Sequence, residues 1–153
     1  EWFLTLAFFK AKRCLFTQIP LYAYIRRDGS IMSIKTEQQW NRSFNDILHV
    51  IKLTLSLTAD NKLSTLQTEA INNRLSYLLY AFIYNLISSC LGESQKQHYL
   101  SLLQSINLYP LPKIGNSRMY KLLRLCSKNK TVLKFFVKAV QAINSKRVKG
   151  KIY

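Results

Sequence analysis

LSYLLYAFIYNLISSCL, residues 75–91, is the stretch whose reading decides the fold. It is apolar enough to raise the question of a membrane span. Ser76, Asn85, Ser88 and Ser89 interrupt it, however, and a span takes about 20 predominantly apolar residues. Traced upstream, Leu63, Leu66, Ile71, Leu75, Leu78, Leu79, Phe82, Ile83 and Leu86 recur at helical spacing. The pattern predicts one long helix, capped at Asp60, running to about Cys90 and stopped by Gly92. A helix this apolar belongs inside a helical assembly, buried on several sides.

The same period continues on both flanks. Upstream, Thr36 and Gln39 form a capping box in which the hydroxyl and the amide satisfy one another's backbone donors. They start a helix to about Leu57 with Trp40, Phe44, Ile47, Leu48, Ile51 and Leu55 on one stripe. Downstream, Ser94 and Gln97 read as a second capping box, leading a helix through Leu100, Leu103 and Ile106. YPLP at 109–112 is a rigid break, and Ser117 is expected to cap a helix over Met119, Leu122, Leu123 and Leu125. The last helix starts at Asn129 or Thr131 and carries Val132, Leu133, Phe135, Phe136, Val140 and Ile143. Lys130, Lys134 and Lys138 fall at i, i+4 and i+8 on it, in one cationic stripe, and the tail SKRVKGKIY is basic and expected to fray. The expectation is a mainly α chain in which a helical subdomain of about five helices, residues 36–153, follows a short strand or hairpin segment.

That segment lies within residues 1–35. Residues 2–12 read as a helix that is apolar nearly all round, and 14–19 alternate weakly. In PLYAYIRRDGSIM, residues 20–32, Leu21, Ala23 and Ile25 alternate with Tyr22, Tyr24 and Arg26, which suits a half-buried strand, and Asp28-Gly29 marks a turn. Arg26 and Arg27 offer fork-shaped donors matched to phosphate oxygens, and Gly29 and Ser30 could add backbone N–H groups. The same residues also read as an exposed hairpin with solvated arginines.

Composition narrows the classes further. The 153 residues are 48% hydrophobic yet carry a net charge of +16, which fits a folded chain with a basic face better than a disordered one. No acidic residue follows Glu93, whereas basic residues continue from Lys96 to Lys151. Such a field selects polyanionic partners: nucleic acid, anionic lipid or phosphorylated substrates. Cys14, Cys90 and Cys126 have no metal-binding spacing and suggest a reduced intracellular chain, Cys90 and Cys126 being read as packing residues. His49 and His98 are far apart on helix faces, and there is no HExxH, P-loop, GxGxxG or GxSxG. No catalytic or metal-binding set is therefore assigned within the chain.

Over its first 33 residues the chain resembles the segment that closes the catalytic domain of bacterial family 2 glycosyltransferases. The resemblance is carried by Lys10-Ala11-Lys12, Pro20-Leu21-Tyr22, Tyr24, Arg27 and Ser30-Ile31-Met32, in order. It implies that residues 1–35 close a larger α/β catalytic domain and that 36–153 form a C-terminal helical region. It also implies that the nucleotide-binding half, the Asp-x-Asp motif with its Mg or Mn ion, and the catalytic base lie upstream of Glu1. Tyr24, Arg26, Arg27 and Ser30 would then help bind the donor diphosphate. The implied activity is transfer of a sugar from a nucleotide sugar to a glycan or lipid-linked acceptor in surface polysaccharide synthesis. The chain alone is expected to be inactive, with no cofactor of its own, and in the cytoplasm; its basic helices either hold it at the anionic inner membrane face or form an ordinary solvated surface. The rival expectation is a basic helical module that binds nucleic acid or a protein partner.

Overall fold

The computed structural model describes residues 36–59 and 63–149. The predicted strand and turn, the helix over 2–12, Cys14, Asp60 and the substrate-binding candidates Tyr24, Arg26, Arg27 and Ser30 lie outside the described residues. Among the described residues the chain is mainly helical. Helix α1 spans Glu37–Ser56 and passes into a short 3-10 turn, Leu57–Ala59; then come α2 (Thr65–Ser88), α3 (Glu93–Ser105), α4 (Arg118–Cys126) and α5 (Lys130–Lys149). No helix among the described residues is long and apolar enough to cross a membrane.

The stretch at 75–91 behaves as its pattern requires. Helix α2 packs against α1, α4 and α5, and it buries Ile71, Leu75, Ser76, Leu78, Leu79, Phe82, Ile83 and Leu86. Its start differs from expectation. Ser64, not Asp60, is the N-cap: the Ser64 hydroxyl accepts from Gln67 N–H at 3.3 Å, and Gln67 Oε1 accepts from Ser64 N–H at 3.0 Å. Such a reciprocal pair satisfies two end donors at once, which a lone Asp cap does not. Leu66 then falls in the first turn, beyond the bundle, and is 78% exposed instead of lying in the core stripe.

Helix α1 starts at the expected capping box, with Thr36 N–H donating to Gln39 Oε1 at 2.8 Å. Its stripe delivers Phe44, Leu48 and Ile51 to the core. Phe44 is the hub of an aromatic cluster: its ring lies 5.4 Å from Trp40, 5.3 Å from Phe82 and 5.2 Å from Tyr99. One side chain thus ties α1 to both α2 and α3. Tyr99 adds a polar tie by donating to Asn41 O at 3.2 Å.

Two further boundaries move. Helix α2 ends at Ser88 with Ser89 as C-cap, and Gly92 is the N-cap of α3 instead of the stop of α2. Gln95 Oε1 accepts from Gly92 N–H at 3.1 Å, so the expected Ser94–Gln97 pair is not the cap. The earlier start puts Glu93 in the first turn of α3, where a carboxylate is favoured by the helix dipole. It also lets Gln95 reach Glu37 across to α1, donating to its carboxylate.

Between α3 and α4, Gly115 has φ +69° and lies against α2; a Cβ there would meet the Ser76 Cβ at 2.5 Å. Only glycine suits that backbone and that approach. In α4 the buried residues are Tyr120 and Leu123. Tyr120 donates to Pro112 O at 3.0 Å, and burial pushes its phenol above the ordinary tyrosine range, so it stays a donor at neutral pH. Asn129 settles the start of α5: its Oδ1 accepts from Thr131 N–H at 2.9 Å and Val132 N–H at 3.3 Å. Leu133, Val137 and Val140 turn inward from α5.

Candidate functional site

The cationic stripe foreseen on the last helix becomes one wall of a groove. The end of α2, the first turns of α3 and the first half of α5 enclose a cleft of about 270 Å³. Its floor is apolar, formed by Leu86, Leu100 and Leu133, all core residues. Its rim carries Lys96 from α3 and Lys130, Lys134 and Lys138 from α5. The spacing of four residues between Lys130, Lys134 and Lys138 explains the wall: side chains about one turn apart stand above one another on the same face.

Long side chains bridge α3 and α5 across the cleft. Lys134 Nζ donates to Glu93 Oε1 at 3.0 Å, and Lys130 Nζ to Gln97 Oε1 at 2.7 Å. Lys96 Nζ donates to Ile87 O at 3.2 Å, satisfying a carbonyl in the last turn of α2. On the far side Gln141 Nε2 donates to Ser88 Oγ at 2.6 Å, and Ser88 Oγ in turn donates to Tyr84 O at 2.7 Å. Lys138 makes no hydrogen bond or ion pair among the described residues.

Glu93 is the single carboxylate of the lining. The hydrogen bond and charge of Lys134 hold its carboxyl below the usual carboxylate range, with Gln97 and Lys96 adding to the effect. It therefore neutralises one of the four lysines at neutral pH and leaves the groove net cationic. Four ammonium groups over an apolar floor suit an anion that carries an uncharged body, such as a phosphate ester. Lysine supplies point charges to such a group, not the planar fork of arginine.

The remaining candidates separate cleanly. His49 and His98 are both exposed, as their helix-face reading requires. Cys90 is exposed and so is not a packing residue, whereas Cys126 packs against the core. Among the described residues no three His, Cys, Asp or Glu side chains gather where a metal ion could be held.

The sequence showed the lysine stripe but not the groove, because the opposite wall comes from α3 and the floor from three helices. The signal for the partner wall was present: Glu93, Lys96 and Gln97 share one face at spacings of three and four. No protein-family model, curated protein or solved structure matches the chain.

Proposed function

We propose that the chain is the C-terminal part of a family 2 glycosyltransferase that transfers a sugar from a nucleotide sugar to a glycan or lipid-linked acceptor. The observation that carries this reading is the ordered set Lys10-Ala11-Lys12, Pro20-Leu21-Tyr22, Tyr24, Arg27 and Ser30-Ile31-Met32. On this reading Arg26 and Arg27 stabilise the negative charge that develops on the departing nucleoside diphosphate, electrostatic work for which a guanidinium fork is suited. Tyr24 and Ser30 assist by positioning the same group.

The lysine groove supports the reading by giving the helical region a phosphate-directed task of its own. It would hold the phosphate of a lipid-linked acceptor while transfer takes place in the preceding domain. A divalent ion, when bound by the upstream Asp-x-Asp, would supply further charge neutralisation at the donor.

The test is nucleoside diphosphate release by the full-length protein over a panel of nucleotide sugars with a divalent ion present. Release with one donor is expected, and Arg27→Ala should lower kcat by about 100-fold. The isolated 153-residue chain should show no turnover. Turnover by that chain alone, or no release from any donor by the full-length protein, would overturn the reading.

One observation favours a second reading, a basic helical module for nucleic acid or a protein partner: no acidic residue follows Glu93. Phosphate-backbone binding would then weaken steeply with salt. Tight retardation of duplex or single strands at moderate salt, with no sugar transfer by the full-length protein, would favour it.

A further inference from the structure

Among the described residues, α4 and α5 leave large apolar side chains uncovered. The apolar residues read on α4 from sequence are Met119, Leu122, Leu123 and Leu125, but the bundle buries only Leu123 of these, together with Tyr120. Leu122 is left 49% exposed and Leu125 58% exposed. The next helix continues the pattern, with Val132 exposed and Phe135 at 70%. Helices α4 and α5 pack together across the short turn at 127–129. Single exposed apolar residues are ordinary, but a concentration of this kind marks a surface that meets something.

Charge identifies the occupant. Arg118, Lys121 and Lys128 are exposed among these apolar residues, with no carboxylate in either helix. Residues 1–35 carry six basic and two acidic residues, a net +4, and a second copy of the chain carries +16, so neither brings net negative charge to these basic groups. Nucleic acid would pair with the basic groups but has no use for an aliphatic row of Met119, Leu122 and Leu125. An anionic bilayer takes both: apolar side chains enter the boundary between headgroups and acyl chains, and basic side chains pair with lipid phosphates.

We propose that the α4–α5 face docks on an anionic lipid bilayer, lying in the interface without crossing it. The proposal does not rest on the glycosyltransferase reading, since it follows from exposure and charge alone. It is distinct from the lysine groove, which opens on the α3 side of α5.

The test is co-sedimentation of the chain with vesicles of phosphatidylcholine alone or mixed with phosphatidylglycerol, at moderate salt. Binding is expected only to the mixed vesicles. Leu125→Ser with Phe135→Ser should weaken it about tenfold or more while circular dichroism stays unchanged, because two buried apolar side chains are lost from the interface. Lys121→Ser with Lys128→Ser should weaken it too, and that loss should shrink as salt is raised. Absence of binding to the mixed vesicles, equal binding by the Leu125→Ser, Phe135→Ser variant, or a concentration-dependent dimer that this variant abolishes would overturn the proposal. So would preferential binding of nucleic acid by this same face, shown by competition with the vesicles.

Discussion

Helices α1 to α3 and helices α4 and α5 are built from the same apolar periodicity and use it differently. In the first group most large apolar side chains are buried or packed against the core, and Leu66 and Tyr77 are exposed. Carboxylates at Glu37, Asp46, Glu69 and Glu93 balance the four basic residues there, Arg42, Lys52, Arg74 and Lys96. In the second group Met119, Leu122, Leu125, Val132 and Phe135 face outward and no carboxylate is present. The difference teaches that helical periodicity reports an amphipathic face but not what covers it. In α1 to α3 the bundle covers it; in α4 and α5 the bundle covers only a part.

The strongest way to break this comparison is to truncate one phenylalanine in each region. Phe44→Ala removes the hub of the aromatic cluster and should cost about 3–5 kcal/mol in urea unfolding. Phe135→Ala should stay within about 0.5 kcal/mol, as for a surface change. Similar losses from both would show that the outer face of α5 is part of the core. Next in size is Gly115→Ala, which combines a left-handed backbone with a collision at Ser76. It should cost about 2–3 kcal/mol, since a core neighbour must shift to admit the methyl group. Tyr120→Phe leaves the ring in place but removes the bond to Pro112 O, and should cost about 1 kcal/mol.

The smallest effect concerns Glu93. Its carboxyl is held low by Lys134, so the pair contributes stability above the unfolded-state pKa, and that contribution is lost as pH falls through the lower folded-state value. Both side chains are substantially exposed, so solvent screening keeps the contribution below about 1 kcal/mol. Glu93→Gln should flatten this part of the acid-side stability profile. It should also tighten anion binding in the groove by releasing Lys134, which phosphate titration of the variant would show.

Much of the bundle was legible in the sequence because local rules and tertiary packing agreed. Thr36 with Gln39, Phe44 with Leu48 and Ile51, and the run from Leu75 to Leu86 each pointed to the arrangement found. Where reading failed, two local signals competed. Ser64 with Gln67 is a complete capping box that the reading of Asp60 as the cap passed over. Gly92 was taken as a stop when it serves as the next start. In α4 the apolar pattern alone does not show which residues are buried, and Tyr120 is absent from it because its hydroxyl finds an acceptor only when the loop at Pro112 folds back. Half the groove was legible as the Lys130, Lys134 and Lys138 stripe; its other wall depends on the approach of α3 to α5, which no local pattern specifies.

The account rests most on the claim that the lysines of α3 and α5 compose one anion site and are not a diffuse basic surface. Titration of the isotopically labelled chain with inorganic pyrophosphate, followed by amide chemical shifts, tests it directly. Saturable shifts should cluster at residues 93–97 and 130–138 and vanish in the Lys134→Gln, Lys138→Gln variant. Weak, unsaturated shifts spread equally over Lys113, Lys121 and Lys128 would contradict it.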